Sequence, residues 1–164
     1  TGSTCDMRVG IGFDVHPLTA GRRLVLGGVD VPFEKGLAGH SDGDVLTHAV
    51  VDALLGAVAL GDIGTHFPSS DPRYRDARSL LLLERVAGML RDKGWRIENV
   101  DATIIAERPR LTPFVEAMRK GLGAALGLPG DRISVKAKTT DGLGYTGRGE
   151  GIAAYAVALV EQVA

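Results

Sequence analysis

The spacing of hydrophobic residues changes several times along this chain, between the period of two that is typical of strands and the three-to-four spacing of helices. Alternation and short apolar runs predict strands at 8–15, in a hairpin over 24–31, within 95–105, and at 132–139 and 152–160. Helical spacing predicts helices over 41–58, over 76–93 and from Thr112-Pro113 onwards. The predicted order is strands, two helices, strand, helix and two strands.

Local signals mark the ends of these helices. Ser41 and Asp44 match a capping box at the start of the first helix, and Gly61, Gly94 and Gly127 stand where helix-ending glycines are found. Glycine is also frequent, with 23 residues. This frequency suits tight loops and a close approach of a ligand to the backbone.

The element order predicts the α+β class, as a ferredoxin-like layered fold in which a mixed sheet carries its helices on one face. Apolar residues stand on both sides of the predicted strands, including Val9, Ile11 and the alternating set of 152–160. The second face of the sheet must therefore be covered, and a homo-oligomer would cover it. Cyclic symmetry would also bring loops of different subunits together at a shared active site.

Composition narrows the class of protein. Hydrophobic residues make up 45% and charged residues 24% of the 164 residues, as in an ordinary globular domain. A net charge of −1 gives no general affinity for nucleic acid or for an anionic membrane. No apolar run approaches the roughly 20 residues that span a bilayer.

The single cysteine, Cys5, fits a reducing compartment. Residues 1–6 precede Met7 and are expected to be an expression scar or a disordered end, followed by one catalytic domain over 7–164. The expected location is a bacterial cytoplasm, although a processed plastid protein would look similar.

Candidate metal ligands lie near the start of the chain. Asp14 and His16 would share one face of the first strand, with Val15 on the other, because side chains alternate along a strand. If the helix that carries His48 packs beside this strand, one oxygen and two nitrogen atoms form a zinc shell with an open fourth position. The alternative, on these residues alone, is that the histidines serve as ordinary hydrogen-bonding residues.

Several motifs follow one another along the chain, and together they are far more specific than any one of them. They are Gly12-Phe13-Asp14-Val15-His16, His40-Ser41-Asp42-Gly43-Asp44, Gly61-Asp62-Ile63-Gly64, Phe67-Pro68 and Thr146-Gly147-Arg148-Gly149-Glu150-Gly151. From about Arg8 to the C-terminus, the chain closely resembles the 2-C-methyl-D-erythritol 2,4-cyclodiphosphate synthase family of the non-mevalonate isoprenoid pathway.

The resemblance implies a homotrimeric lyase with active sites at subunit interfaces. Members of this family convert 4-diphosphocytidyl-2-C-methyl-D-erythritol 2-phosphate into the cyclic diphosphate and CMP. The attacking 2-phosphate needs no general base, since the second pKa of a phosphate monoester is about 6. The enzyme would instead align the phosphates in line and relieve their charge repulsion.

The resemblance also implies roles for individual residues. Asp14, His16 and His48 would bind Zn²⁺, while His40 and Thr139 would steady the transition state. The implied substrate contacts on the metal and methylerythritol side are Asp14, Val15, His16, His40, Ser41, Asp62, Ile63, Gly64, Phe67, Pro68, Ser69, Ser70 and Asp71. Those of the cytidine pocket are Ala106, Glu107, Arg108, Pro109, Arg110, Leu111, Thr112, Lys138, Thr139, Thr140 and Asp141.

Asp141 is the candidate ligand for Mg²⁺ or Mn²⁺, held together with the substrate phosphates. The family more often has glutamate at this position. The shorter aspartate side chain withdraws the carboxylate by about 1.5 Å. Contact through water is therefore an alternative to direct binding. Arg110 is expected to contact a phosphate, whereas Lys138 is either a phosphate contact or a solvated surface residue.

Tyr145 and Arg148 match substrate-contacting positions near the trimer axis, where some family members hold an isoprenoid diphosphate. Other residues have open roles. Asp42 and Asp44 can serve the helix N-terminus, which is the favoured interpretation for Asp44. Asp52 either orients His48 or faces only solvent.

Two other function classes fit the same residues. A zinc-dependent phosphohydrolase would use the three ligands to activate a water molecule. A non-catalytic trimeric module that binds nucleotide or metal would need no turnover. His40 beside complete ligand sets for zinc, diphosphate and cytosine favours the cyclising enzyme.

Overall fold

The structure is a computed structural model, and it describes residues 5–163. In chain order its elements are β1 (Met7–Ala20), β2 (Leu24–Leu26), β3 (Val29–Val31), β4 (Lys35–Leu37), α1 (Val45–Ala57), α2 (Ile63–His66), α3 (Ser79–Asp92), β5 (Trp95–Ile105), α4 (Val115–Leu126), β6 (Ile133–Lys138), α5 (Gly144–Gly147) and β7 (Gly151–Gln162). Single 3₁₀ turns occur at Pro72–Tyr74, Thr112–Phe114 and Gly130–Arg132. The predicted α+β class is confirmed.

The main sheet is mixed and has five strands in the order β4-β1-β7-β5-β6, while β2 and β3 form a separate hairpin. Among the strands within residues 5–163, only β5 and β6 are parallel, and α4 connects them. Without the short strands β2–β4 and the short helices α2 and α5, the elements run β-α-α-β-α-β-β, whereas the ferredoxin-like order is β-α-β-β-α-β. The connectivity therefore differs from the ferredoxin-like expectation, because β6 and β7 are consecutive after α4.

Two predicted helix starts were wrong for the same physical reason. Gly43 has a φ of +74° and Asp76 a φ of +57°, and neither left-handed conformation can lie inside a right-handed helix. The first helix therefore begins at Val45, with Asp44 as its N-cap, and the capping box from Ser41 does not form. The favoured role of Asp44 at the helix N-terminus is confirmed, since its carboxylate accepts from Thr47 N at 3.0 Å.

Two glycines of β1 let α1 lie directly on the strand. A Cβ atom on Gly10 would be 1.9 Å from the carbonyl oxygen of Ala53, and one on Gly12 would be 1.8 Å from that of Ala49. No side chain fits at such distances. Because the backbones approach this closely, His48 is brought against the polar end of β1.

Gly12→Ala is expected to destabilise the protein by about 1–3 kcal/mol, because the added methyl group forces α1 away from β1. The melting temperature should fall by several degrees, and zinc affinity should fall with it, since the shift moves His48. Thermal unfolding and a zinc titration measure both effects. Gly56→Ala is the matched control, because its Cβ would meet only one atom, 3.9 Å away. An unchanged melting temperature for Gly12→Ala would contradict the packing argument.

The sheet face turned away from the helices is apolar and exposed. The apolar side chains on this face that are 40–69% exposed include Met7, Val9, Ile11, Phe13, Val15, Tyr155 and Val157. On the opposite face, Ile152, Ala154, Ala156, Ala158 and Val160 are fully buried under the helices. The prediction that apolar residues stand on both sides of these strands is confirmed.

Residues 1–4, which belong to the segment expected to be a scar or disordered end, lie outside the described residues. Asp6 is described, and its carbonyl oxygen accepts a hydrogen bond from Gln162 N at 2.8 Å. Among residues 5–163 we find no helix with the length and apolar character needed to cross a membrane.

Candidate active site

Asp14 and His16 on β1 meet His48 on α1 beside the sheet. Asp14 Oδ2 lies 3.0 Å from His16 Nε2 and 2.9 Å from His48 Nδ1, and the two ring nitrogens are 3.3 Å apart. The three atoms form a nearly equilateral triangle. Bonds of roughly 2.0–2.1 Å to a tetrahedral zinc ion would separate its ligand atoms by about 3.3–3.4 Å, so the triangle has a suitable size.

The orientation of both imidazole rings is set by contacts to their other nitrogens. His16 Nδ1 is 2.8 Å from the carbonyl oxygen of Ala38, to which it must donate its hydrogen. His48 Nε2 is 2.7 Å from Ser79 Oγ and 3.1 Å from Ser41 Oγ. In each neutral ring the remaining nitrogen keeps a lone pair that faces the triangle. One carboxylate and two such imidazoles fit a divalent metal.

The charges in this triangle depend on one another. Burial alone would raise the pKa of Asp14, but hydrogen bonds from His16 and His48 and the attraction of their rings lower it to about 2. Burial also opposes a charge on His16, yet the hydrogen bond to Asp14 raises the pKa of His16 above its ordinary value. A metal ion therefore competes with a proton for His16, and this competition grows as the pH falls.

Zinc is expected to raise the melting temperature more at pH 8 than at pH 5.5. Without metal, the lowered pKa of Asp14 contributes stability that is lost as the pH falls from the ordinary pKa of an aspartate toward about 2. The raised pKa of His16 contributes stability that is lost as the pH rises through that pKa. Zinc binding instead requires neutral rings and so strengthens as the pH rises. Melting curves with zinc or chelator at both pH values test this. An equal or larger gain at pH 5.5 would contradict it, and His48→Ala should show no gain at either pH.

His40 and Ser41 lie between β4 and α1, next to the metal triangle. The Ser41 hydroxyl is turned toward His48, and His40 Nε2 is 3.1 Å from the carbonyl oxygen of Asp71. The backbone nitrogen of Asp76 also donates to His40 O at 2.8 Å. The segment is thus tied to the loop that precedes α3. The side chain of Val15, by contrast, lies on the exposed face of the sheet.

The segment predicted to contact the methylerythritol part follows α1. Asp62 caps α2 by accepting from Thr65 N at 3.0 Å, and Ile63 N donates to Asp52 Oδ1 at 2.8 Å. Asp52 was predicted either to orient His48 or to face only solvent. Its carboxylate instead accepts a hydrogen bond from Ile63 N and so anchors this loop. Gly64 is exposed.

The loop continues through the next predicted contacts. The Phe67 ring packs edge-on against Tyr74, with centroids 5.3 Å apart. Pro68 is half-buried, Ser69 and Ser70 are exposed, and the carboxylate of Asp71 pairs with Arg73 at 2.7 Å. The two serine side chains therefore stay accessible to a ligand.

The predicted cytidine segment surrounds a cleft of about 470 Å³. It is lined by Phe33, Ala106, Glu107, Arg108, Pro109, Arg110, Leu111, Thr112, Ala137, Lys138 and Thr139. Phe33 was not predicted, and the Arg108 guanidinium lies 5.6 Å from the centre of its ring. One buried oxygen of Glu107, Oε2, has no hydrogen-bond partner among residues 5–163.

Thr139, Thr140 and Asp141 follow the end of β6. Thr139 Oγ1 is 3.3 Å from Asp141 Oδ1, and Thr140 Oγ1 is 2.9 Å from Thr146 Oγ1. Asp141 is exposed and has a φ of +53°. Further along, Tyr145 and Arg148 are exposed on and just after α5, and Arg148 pairs with Glu150 at 3.0 Å.

The metal triangle and the predicted cytidine cleft lie on different strands of the sheet. The triangle is on β1 and the cleft at the end of β6, and β7 and β5 stand between them. Three strand spacings of about 4.8 Å separate β1 and β6 by roughly 14 Å. Within one chain, Thr139 and Asp141 are therefore not next to the metal ligands.

Comparison with known proteins identifies the family. A family model described as the YgbB family matches residues 7–161. The chain belongs to the YgbB family. Its similar relatives include the 2-C-methyl-D-erythritol 2,4-cyclodiphosphate synthase of Syntrophomonas wolfei, 59% identical over 156 residues that cover 95% of this chain and 99% of that protein. The protein of the same name from Moorella thermoacetica is 61% identical over 154 residues, 94% of each chain.

Solved structures of similar proteins share this fold. The complex of Plasmodium falciparum IspF with CDP is 32% identical to this chain and has a TM-score of 0.86. The match covers 99% of this chain and 100% of that one. The bifunctional IspDF of Campylobacter jejuni is 40% identical with a TM-score of 0.93 over 97% of this chain, which spans only 43% of that protein. The resemblance drawn from the motifs is confirmed.

Proposed function

We propose that this chain converts 4-diphosphocytidyl-2-C-methyl-D-erythritol 2-phosphate into 2-C-methyl-D-erythritol 2,4-cyclodiphosphate and CMP, as a lyase of the non-mevalonate isoprenoid pathway. A bond forms between a 2-phosphate oxygen and the β-phosphorus. The bond from that phosphorus to the bridging oxygen breaks, and CMP leaves with the electron pair. The complete Asp14, His16 and His48 triangle carries the proposal, because it occurs in a chain 59–61% identical to relatives named for this product.

Two divalent ions belong to the proposed site. Asp14, His16 and His48 would hold Zn²⁺, and Asp141 would hold Mg²⁺ or Mn²⁺ together with the substrate phosphates. When bound, these ions would offset the phosphate charges and stabilise the departing CMP. Asp141 is exposed and lies two residues after Thr139, which lines the cleft, and this position supports the proposed role.

The side chains of the chain would bind and align the substrate. His40 and Thr139 would donate hydrogen bonds to oxygens whose charge grows in the transition state. The loop through Asp62 and Phe67 would hold the methylerythritol part, and the cleft at 106–112 would hold cytidine, with Arg110 near a phosphate. No residue has to remove a proton, because the attacking phosphate is already ionised.

We propose that the active protein is a homotrimer in which the metal triangle of one chain faces the cytidine cleft of the next. Two observations support this assembly. The sheet has an apolar exposed face that includes Val9 and Ile11, and such faces mark interaction sites. The two halves of the site are also separated across the sheet within one chain.

An isoprenoid diphosphate is the proposed ligand of a cavity on the trimer axis, near Tyr145 and Arg148. Both side chains are exposed in the single chain, and Arg148 carries a charge that suits a diphosphate. Such a ligand is expected to raise the melting temperature by a few degrees, and Arg148→Ala should abolish the gain. Lys120→Ala, exposed on α4, is the control. An undiminished gain in Arg148→Ala would remove Arg148 from this site.

We propose a single catalytic domain over 7–164 that acts in a bacterial cytoplasm. The bacterial origin of the relatives at 59–61% identity supports that location.

Phosphorus NMR of the purified protein with the cytidylyl substrate, zinc and magnesium tests the proposed reaction. CMP and a cyclic diphosphate should appear together, and His48→Ala should form neither. Inorganic phosphate as the product would instead indicate a zinc-dependent phosphohydrolase. An unchanged spectrum, with zinc shown to be bound, would indicate a non-catalytic binding module.

A further inference from the structure

A buried serine at the start of α3 lies directly behind the metal triangle. Ser79 is 0% exposed, and its Oγ is 2.7 Å from His48 Nε2 and 2.5 Å from Asp42 Oδ1. The backbone nitrogen of Ser79 also donates to Asp42 Oδ2 at 2.9 Å. Both oxygens of one carboxylate are thus used to hold one serine.

When His48 is a metal ligand, the hydrogen bonds that connect His48, Ser79 and Asp42 can have only one donor-to-acceptor direction. Its Nδ1 faces Asp14 and must be free of hydrogen to bind a metal, so the hydrogen is on Nε2 and is donated to Ser79 Oγ. The hydroxyl then has one hydrogen of its own, and the nearest acceptor is the carboxylate of Asp42. The order is imidazole to hydroxyl to carboxylate.

We infer that Ser79 and Asp42 are positioning residues that orient His48 and strengthen it as a metal ligand. A carboxylate that polarises a hydroxyl makes that hydroxyl a better acceptor, and this raises the electron density at the opposite ring nitrogen. Asp42, considered at first only for the helix N-terminus, acquires a role through Ser79. The inference rests on the metal site of the proposed function.

The same contacts also fix the segment that carries His40 and Ser41. Asp42 N donates to Ala77 O at 3.1 Å, so the backbone on both sides of the Ser79 contact is tied to the loop before α3. The first turn of α3 therefore holds a metal ligand and the adjacent substrate segment in one arrangement. Ser41 Oγ, at 3.1 Å, is the more distant of the two hydroxyl acceptors for His48.

Zinc affinity, measured without substrate by competition with a chromophoric chelator, tests the inference. Ser79→Ala is expected to weaken zinc binding by about 10–100-fold, the usual cost of losing an outer partner of a ligating histidine. The visible spectrum of the cobalt-loaded protein should change as well, because the ring of His48 is free to turn. Ser79→Thr keeps the hydroxyl and should restore most of the affinity. Asp42→Asn should lose less than Ser79→Ala.

Ser134→Ala, on the exposed side of β6, is the matched control and should bind zinc as the wild type does. If a Ser79→Ala protein that melts cooperatively keeps the zinc affinity and the cobalt spectrum of the wild type, the inference is overturned. A loss of zinc affinity in Ser41→Ala but not in Ser79→Ala would also overturn it. If Ser79→Ala does not fold, unchanged affinity in Asp42→Asn would overturn it. Zinc affinity that depends on Ser79 in a protein that forms no cyclic product would refute only the proposed reaction.

Discussion

Replacing His48 with alanine is expected to abolish both zinc binding and formation of the cyclic product. The change removes one of three ligand atoms that lie within 4.8 Å of one another. The loss should exceed the roughly 10–100-fold effect that is typical of removing an outer partner of a ligand. Metal content by atomic emission and product formation by phosphorus NMR measure the two effects. The protein should stay folded, because α1 keeps its other buried side chains.

A histidine outside the triangle provides the control for this experiment. His66 is half-buried, and its Nε2 donates to the carbonyl oxygen of Leu60 at 2.7 Å. His66→Gln should therefore bind zinc as the wild type does. If His48→Ala kept one zinc ion per chain with wild-type affinity, the triangle would not be the metal site.

Elements with a strong local pattern were predicted well from the sequence. Residues 95–105 were predicted to contain a strand, and β5 occupies the whole of this segment. Val100, Ala102 and Ile104 alternate inward, and a glycine precedes the strand. β1 is longer than its predicted range of 8–15, and it reaches Ala20. Its last residues pair with the short strand β4, a contact between distant positions that no local pattern indicates.

The metal triangle could be predicted because each of its parts has a local signal. Asp14 and His16 share a strand face, and His48 lies on a helix with clear apolar spacing. Their meeting depends on α1 approaching β1 closely, and Gly10 and Gly12 allow this approach. The high glycine content was interpreted as a sign of tight loops and of a ligand close to the backbone, so this contact between two backbones was not predicted.

Residues that act through distant neighbours could not be predicted. Ser79 at the first position of α3 looks like an ordinary helix-start serine, and nothing near it in sequence points to His48. Phe33 reaches the cytidine cleft from the segment between β3 and β4. The role of Asp52 was missed because its partner is a backbone nitrogen, at Ile63, whose position depends on how the chain leaves α1.

Mixing two inactive variants is expected to restore activity if the site is shared between chains. His48→Ala loses the metal half and Thr139→Ala weakens the cleft half. In a cyclic trimer, an intact site needs the triangle of a Thr139→Ala chain and the cleft of a neighbouring His48→Ala chain. Random assembly of equal amounts makes about one quarter of all sites intact, so about one quarter of the wild-type rate should return. The measurement is product formation after the two proteins are unfolded together and refolded.

A variant of the apolar sheet face shows whether this recovery depends on assembly. Ile11→Lys places a charge where the proposed interface would bury it, which costs several kcal/mol for each ion. When both variants also carry Ile11→Lys, each chain should keep its zinc, because all three ligands belong to one chain. Each protein should then sediment as a monomer, and mixing should restore no activity. If the mixed His48→Ala and Thr139→Ala proteins, with Ile11 unchanged, form trimers but stay inactive, this result would contradict a site shared between subunits.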